Sequence, residues 1–202
     1  MLLGMFQVVP CAEEGCTNPR IYSSEYCFQH QPNPQQYLEH IKRFFTEQDS
    51  FAGLVFAHIP FERCDFSNKT FYLCDFSNCT FRDCTFQKTS FRICFFDKAQ
   101  LTRIEGWNLN IYNSLFATAR IEECTFHESN IVLANCNWIE CTHTSFKDSD
   151  LYNSRFVGAK LNNVEFVDCN LLNTDFSFSQ RDETSFKYCN LQDAILEPEG
   201  PV

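Results

Sequence analysis

The sequence predicts a repeat architecture, because two residue columns run through most of the chain with a period of five. In the first column, a large apolar residue occupies nearly every fifth position from Phe51 to Leu196, and 17 of the 23 Phe share this phase. Four of its 30 positions are neither Phe, Leu nor Ile: Gly106, Cys136, Cys141 and Arg181. A period of five fits neither the 3.6-residue repeat of a helix nor the two-residue alternation of a flat strand.

The second column lies two residues before the first. From Leu54 to Ala194, 23 of its 29 residues are Cys, Ala, Ser, Thr or Val. Eight of them are cysteines: Cys64, Cys74, Cys79, Cys84, Cys94, Cys124, Cys169 and Cys189. The surrounding positions are mostly polar or charged. Each unit is therefore predicted to point one large and one small side chain inward and to expose the rest.

The pattern resembles the pentapeptide-repeat family, with units such as CDFSN at Cys64–Asn68, AKLNN at Ala159–Asn163 and CNLLN at Cys169–Asn173. The resemblance implies an all-β fold: a right-handed, four-sided parallel β-helix (solenoid) of about 7 turns, with one unit on each side. Residues twenty positions apart should then stack. An interior ladder is expected from Phe56, Phe76, Phe96 and Phe116.

A helix is predicted before the repeats. Asn33 can cap it, and Pro34 suits its first position. The apolar stripe that follows at helical spacing consists of Tyr37 or Leu38, Ile41, and Phe44 or Phe45. We expect this helix to cover the first turn of the rod, with a partner-binding amphipathic helix as the alternative. His40 is expected on its surface.

The N-terminal segment carries a candidate metal site. Cys11, Cys16, Cys27 and His30 form the pattern C-x4-C-x10-C-x2-H. Three thiolates and one imidazole make a closed tetrahedral set for zinc, which disfavours a catalytic metal. A small head has little apolar material, so a metal could supply folding free energy. The segment resembles short zinc knuckles. The alternative is a reduced loop in which the Cys and His side chains have no common partner.

The other ten cysteines belong to the two columns and are predicted to pack as small apolar residues. Stacking by twenty would place Cys64 beside Cys84, Cys74 beside Cys94, and Cys169 beside Cys189, where disulfides are geometrically conceivable. Their placement is unlike the disulfide framework of a small secreted protein.

The chain is accordingly divided into a zinc-knuckle-like head (1–32), a capping helix (33–49), the repeat rod (50–197) and a tail (198–202). The net charge is −10, with acidic residues scattered along the chain, which argues against direct binding to nucleic acid. No stretch is long and apolar enough to span a membrane. Met1–Val9 lacks a basic region and a cleavage site, so no signal peptide is predicted and a cytoplasmic location is expected.

The C-terminal end of the rod has no predicted cap. The residues after Leu196 are few and rich in Pro, so Leu191, Ile195 and Leu196 would lie near an open terminal turn. The family resemblance implies a possible homodimer through these C-terminal turns.

Three irregular positions are candidate interaction residues: Trp107, Trp138 and Arg181. Trp and Arg are favoured binding anchors when exposed. The alternative is that the two Trp side chains fold back over gaps left by Gly106 and the small Cys136.

No catalytic constellation is evident, and an interior filled by Phe and Leu leaves no ligand pocket, so the protein is not expected to be an enzyme. The predicted function is a non-catalytic protein–protein interaction or scaffold role through the rod surface. The alternative, implied by the resemblance, is a DNA mimic that modulates a type II topoisomerase such as DNA gyrase. A continuous negative stripe would favour mimicry, and mixed charge with an exposed Trp would favour a scaffold.

Overall fold

The computed structural model of the 202-residue chain describes residues 8–197. The absence of a signal peptide at Met1–Val9 and the tail at 198–202 are predictions that lie wholly or mostly outside the described residues. Within 8–197, no helix combines the length and the apolar character that a membrane crossing requires. The division into residues 1–32, 33–49 and 50–197 stays a prediction.

One α-helix and a series of short strands follow the N-terminal head. A 3₁₀-helix covers Phe28–His30, and helix α1 covers Pro34–Glu47. The strands are β1 (Ser50–Ala52), β2 (Pro60–Glu62), β3 (Thr70–Tyr72), β4 (Thr80–Arg82), β5 (Ser90–Arg92), β6 (Gln100–Thr102), β7 (Glu105–Trp107), β8 (Asn110–Tyr112), β9 (Arg120–Glu122), β10 (Thr125–His127), β11 (Asn130–Val132), β12 (Glu140–Lys147), β13 (Lys160–Val167), β14 (Gln180–Asp182) and β15 (Ser185–Lys187).

The strands wind into a parallel solenoid with four sides. We number the sides by the large-column residue of the first turn: Phe51 for side 1, Phe56 for side 2, Phe61 for side 3 and Phe66 for side 4. Each side pairs in parallel with the segment twenty residues further on, as Phe51 does with Phe71 and Phe61 with Phe81. The predicted fold class, a parallel β-solenoid of about 7 turns preceded by one helix, is confirmed.

Stacked phenylalanine rings fill the interior. The ring centroids of Phe56, Phe76, Phe96 and Phe116 follow one another at 5.2, 5.1 and 4.5 Å, so the predicted ladder is confirmed. Rings from neighbouring sides meet edge to face, as Phe76 and Phe91 do at 5.8 Å. Both geometries are favourable for aromatic pairs, and the burial of these rings is the main stabilising contribution of each turn.

The small column is buried and hydrogen-bonded to the preceding turn. Most of its thiols and hydroxyls donate to the carbonyl oxygen 23 residues earlier, for example Cys79 to Phe56 at 3.0 Å, Thr89 to Phe66 at 2.8 Å and Ser154 to Ile131 at 2.6 Å. All 13 cysteines are free thiols. The predicted packing role of the column cysteines is therefore accompanied by a hydrogen bond that links successive turns.

A third column, which the sequence analysis did not identify, forms the corners. Every fifth residue from Gly53 to Asp193 has a left-handed backbone with positive φ. Several are Asn, Asp or Gly, which tolerate this conformation, but β-branched residues also occur there, such as Ile93 at 54° and Thr118 at 58°. The chain turns from one side to the next at these residues.

Helix α1 closes the N-terminal end of the rod, as predicted. The Asn33 side chain accepts a hydrogen bond from the Gln36 N–H at 3.1 Å and caps the helix. The buried face consists of Tyr37, Ile41, Phe44 and Phe45. The Phe45 ring lies over the rod axis, because its centroid is 5.1 to 5.9 Å from one ring on each of the four sides: Phe51, Phe56, Phe61 and Phe66.

Two polar residues complete this end. Lys69 occupies the small column but is buried, and its ammonium group donates to the Gln48 carbonyl oxygen and the Asp49 carboxylate, both at 3.2 Å. It thereby ties the end of α1 to the first turn. His40, expected on the surface, is half-buried with a buried Nε2, because it lies beside the apolar face of the helix, near Tyr37.

Candidate metal centre and surface sites

The head folds around a tight turn that brings Cys11 and Cys16 together. Pro10 and Pro19 form an antiparallel bridge, and the Cys11 N–H donates to the Asn18 carbonyl oxygen at 2.9 Å. Gly15, with φ +77°, provides the left-handed residue just before Cys16. The chain between the two cysteines therefore loops back on itself within a few residues.

The second pair of ligands comes from the 3₁₀-helix, which ends at His30, and from Cys27, the residue that precedes it. The His30 N–H donates to the Cys27 carbonyl oxygen at 3.1 Å, which turns the imidazole back toward the Cys27 thiol. His30 Nδ1 lies 3.4 Å from Cys27 Sγ and 3.5 Å from Cys11 Sγ, and Cys16 Sγ lies 3.9 Å from Cys27 Sγ. All four predicted ligand atoms lie within 4.8 Å of one another.

These separations fit a tetrahedral ion. With Zn–S distances of about 2.3 Å, two sulfurs of a tetrahedron are separated by about 3.8 Å, and a sulfur and an imidazole nitrogen by slightly less. The observed 3.9 Å between sulfurs and 3.4 to 3.5 Å between sulfur and nitrogen match this geometry. The four residues lie close enough to hold a metal ion, and no disulfide competes for the thiols.

The surroundings of the cluster favour a thiolate at Cys11 but oppose one at Cys16. Burial raises the pKa of Cys11, but hydrogen bonds from the Cys27 amide and the His30 side chain contribute to lowering it to about 6. The Asn18 amide lowers the pKa of Cys16, whereas burial and the neighbouring Cys27 and Cys11 thiols raise it overall. The Cys11 thiol contributes to the raised pKa of Cys16, and a bound metal cation would offset the repulsion between the two thiolates.

Hydrogen bonds attach the head to the rest of the molecule. The Tyr22 N–H donates to the Val55 carbonyl oxygen at 2.7 Å, and the Tyr37 hydroxyl donates to the Tyr22 carbonyl oxygen at 2.7 Å. The Tyr22 ring stacks on Phe44 with centroids 4.5 Å apart. The metal cluster is therefore linked through Tyr22 to the helix and to the first turn.

Trp107 lies on side 4 and is 43% exposed. Its ring contacts His127, one turn further on, at a centroid distance of 5.1 Å. The alternative that Trp107 folds back over Gly106 is wrong, because Phe126 fills that space: a Cβ on Gly106 would lie 2.9 Å from the Phe126 ring. Trp107 therefore remains on the surface.

Trp138 is a corner residue of side 2 and is 63% exposed. Its ring lies over Gly158, one turn further on, where a Cβ would approach the indole to 2.6 Å. Phe178 is the next residue in this corner column and is also exposed. Because successive corners stack, the indole reaches along the rod rather than inward.

Arg181 points toward the C-terminal end of the rod and is mostly covered. Its guanidinium donates to the Leu196 carbonyl oxygen at 2.6 Å and lies 3.4 Å from the Glu197 carboxylate. Leu161 precedes it in the same column. The arginine thus uses its large-column position to hold the last described turn in place.

A larger exposed surface on side 1 was not identified from the sequence. Most of the residues at the two positions after its large column form a stripe along successive turns, interrupted at two corners by Asn113 and Asn153: Tyr72, Leu73, Arg92, Ile93, Tyr112, Val132, Leu133 and Tyr152. Tyr72, Tyr112 and Leu133 are 48%, 39% and 38% exposed. We call these eight residues the side-1 stripe. Comparing outward positions at intervals of twenty would have revealed it in the sequence.

The side-1 stripe has a single charged residue. The Arg92 guanidinium lies over the Tyr112 ring, 5.5 Å from its centroid. In contrast, the opposite face, side 3, carries stacked ion pairs. There Arg103 pairs with Asp83 at 2.6 Å, and Glu140 lies between Arg120 and Lys160. Exposed apolar surfaces such as the side-1 stripe often mark protein interaction sites.

The rod interior offers little room for a ligand. The apolar cavity inside it has a volume of about 20 Å³, about the space of one water molecule, and is lined by residues such as Phe96, Ile111 and Phe116. It lies where Leu, Ile and Cys replace several of the larger Phe side chains.

One family model matches most of the repeat region of the chain. The family model for the pentapeptide repeat region matches residues 55–131 and 119–196. No curated protein matches the sequence. Among solved structures, a trypsin-treated variant of QnrB1, a plasmid-mediated fluoroquinolone resistance protein, is 16% identical over 72% of this chain and 87% of that chain, with a TM-score of 0.36.

Two further solved structures are similar. A pentapeptide repeat protein of the Arabidopsis thaliana thylakoid lumen is 13% identical, covering 65% of this chain and 68% of that one, with a TM-score of 0.32. HetL, involved in heterocyst differentiation regulation in the cyanobacterium Nostoc sp. strain PCC 7120, is 12% identical, covering 81% of this chain and 98% of that one, with a TM-score of 0.27.

Proposed function

Because this chain belongs to the pentapeptide-repeat family, we propose that it is a non-catalytic scaffold protein that binds a protein partner through the side-1 stripe. The observation that carries this proposal is the row of exposed Tyr72, Tyr112 and Leu133 side chains on one face, with half-buried apolar residues between them. Tyrosine is enriched in binding hot spots, since it combines a large apolar ring with a polar tip.

The proposed occupant is an amphipathic α-helix of the partner. The stripe spans five turns, or about 19 Å at a spacing of about 4.8 Å, which matches a helix of about 13 residues at 1.5 Å per residue. The helix would present its apolar face to Tyr112 and Leu133 and an acidic residue to Arg92, the one charge within the stripe.

The mixed charge of side 3 disfavours the DNA-mimic alternative. Side 3 alternates acidic and basic residues along the rod, as in Asp83, Arg103 and Glu123, where Arg103 pairs with both carboxylates, so this face has no continuous negative stripe. A type II topoisomerase is therefore not the proposed partner, and a crosslinking experiment can distinguish it from a partner helix.

The head is proposed to hold a structural zinc ion through Cys11, Cys16, Cys27 and His30. The support is the tetrahedral fit of the ligand atoms and their closed arrangement. The cytoplasmic location and the homodimer through the C-terminal turns stay predictions. At that end, Leu191 and Leu196 are partly buried and Arg181 bonds to the last described turn.

Site-specific crosslinking in the native cell tests the scaffold role. A photoreactive residue replaces Tyr112 on the stripe or, as the matched control, the exposed Glu122 on side 3. We expect a partner that crosslinks only from Tyr112, with the attachment mapped to an apolar helical segment. Leu133→Asp should abolish the crosslink without unfolding the rod, since Leu133 has φ 57° and Asp tolerates that backbone.

Several outcomes would overturn the proposal. Equal crosslinking from both positions, persistence in Leu133→Asp, attachment to a second copy of this chain, or attachment to the DNA-binding surface of a topoisomerase each excludes the helix-binding stripe. The last result would instead establish the mimic.

A further inference from the structure

Cys64 differs from the other cysteines of the small column in its position at the end of the rod. The others donate to a carbonyl oxygen of the preceding turn, 23 residues earlier: Cys74, Cys79, Cys84, Cys94, Cys124, Cys169 and Cys189. The residue 23 positions before Cys64 is Ile41, which lies in α1. Cys64 instead donates to the Glu62 carbonyl oxygen of its own turn, at 3.4 Å.

A cleft between α1 and the first turn reaches this thiol. Its volume is about 290 Å³, and three cations line it: Lys42, Arg63 and Lys69. Asp65 is the acidic residue in its wall, and the Cys64 side chain itself is 8% exposed. A thiol beside several cations and within reach of solvent has the environment of a reactive cysteine.

A second thiol is stacked on Cys64. The neighbouring residues Asp65 and Thr85 pair in parallel, which places Cys84 one turn above Cys64. Stacked strands lie about 4.8 Å apart, within the range of Cα separations found in disulfides. The Cys84 thiol and the charge of Lys42 lower the pKa of Cys64 to about 7, although burial and the Glu62 carboxylate oppose this shift.

We propose that Cys64 and Cys84 form a peroxide-reactive thiol pair that closes into a disulfide between the first two turns of the rod. The Cys64 thiolate attacks the terminal oxygen of a hydroperoxide, the O–O bond breaks, and the alkoxide or hydroxide that leaves takes up a proton. Cys64 is then a sulfenic acid. The Cys84 sulfur attacks it, the S–O bond breaks, and the hydroxide leaves as water with the Cys84 proton. Two thiols are oxidised, and one hydroperoxide is reduced to an alcohol or to water.

To test the proposal, the metal-loaded full chain is treated with hydrogen peroxide and its cysteines are then analysed by peptide mapping with mass spectrometry. We expect a Cys64–Cys84 crosslink with the loss of two hydrogens. Cys84→Ser should stop the reaction at a sulfenic acid on Cys64, which a cyclic dione traps. Under native conditions, an alkylating reagent should modify Cys64 at least about tenfold faster than Cys74.

The pair Cys74 and Cys94 is the matched control, because it has the same stacking but Cys74 is covered by the preceding turn. Cys74→Ser should leave the oxidation rate at Cys64 unchanged. A Cys74–Cys94 crosslink formed as fast as Cys64–Cys84, equal alkylation of Cys64 and Cys74, or an unmodified Cys64 after peroxide treatment would each overturn the proposal.

Discussion

The ring of Trp138 lies directly on Gly158, the corner residue one turn further along the rod. A Cβ atom at Gly158 would come within 2.6 Å of two carbons of the indole. Gly158 also has φ +67°, a backbone that glycine adopts without penalty. Glycine at this position therefore allows the left-handed backbone of the corner and also leaves room for the indole ring.

Gly158→Ala is expected to destabilise the rod and to displace Trp138. Gly53→Ala is the matched control, because Gly53 has φ +66° but no atom within 4 Å of its Cβ position. The control should lose about 1 kcal/mol from backbone strain alone, and Gly158→Ala should lose more. Thermal unfolding and Trp fluorescence in a Trp107→Phe background measure both effects. Equal losses and an unchanged emission would show that the indole contact contributes nothing.

Removal of one ligand should release the metal from the head. Cys27 is fully buried and central to the cluster, since it contacts Cys16 and His30 and accepts from Asn18. Purified under reducing conditions without chelator, the wild-type chain should contain zinc and Cys27→Ser should lack it, as measured by elemental analysis.

The rod cysteine Cys94 provides the control for this loss. Its thiol donates to the Phe71 carbonyl oxygen, and the serine at position 114 makes the equivalent bond to Phe91. Cys94→Ser should therefore retain both fold and zinc. Wild-type protein without zinc, or Cys27→Ser with undiminished zinc, would rule out the proposed centre.

Phe45→Ala should open the N-terminal end of the rod. Its ring contacts at least one Phe on each of the four sides, so its loss leaves a cavity that no single neighbour can fill. We expect a loss of about 3–5 kcal/mol in the free energy of unfolding, measured by denaturant titration. Leu38→Ala, on the half-buried flank of the same helix, should lose much less. Similar losses for the two variants would show that the contacts of Phe45 with the four sides do not add to the stability of the rod.

The elements that depend on strict local spacing were predictable from the sequence. The large column predicted the stacking of Phe56 on Phe76, and Asn33 and Pro34 predicted the start of α1. The four candidate metal ligands were identified because Cys and His in short spacings lie outside both columns. Each of these signals consists of a residue type whose chemistry fits one structural role.

The features that depend on contacts between turns were not predictable in the same way. Trp138 and Gly158 are twenty residues apart, and their contact follows only once the register of the solenoid is known. The corner column was missed because fewer than half of its residues are Gly, Asn or Asp, and Ile93 occupies a corner despite its unfavourable β-branched side chain. Packing between turns evidently outweighs local backbone preference there.

Where a corner is exposed and packing is weak, local backbone preference should decide stability, so we predict opposite effects of exchanging Thr and Asn at two exposed corners. Thr118, with φ 58°, should tolerate its left-handed backbone better as Asn, because the Asn side chain is not branched at Cβ. Asn113, with φ 49°, should tolerate it worse as Thr. We expect Thr118→Asn to stabilise and Asn113→Thr to destabilise by about 1 kcal/mol each, as measured by thermal unfolding. Thr102→Asn, within strand β6, is the control and should give no gain. A gain at Thr102 equal to that at Thr118 would show that corner geometry is not the cause.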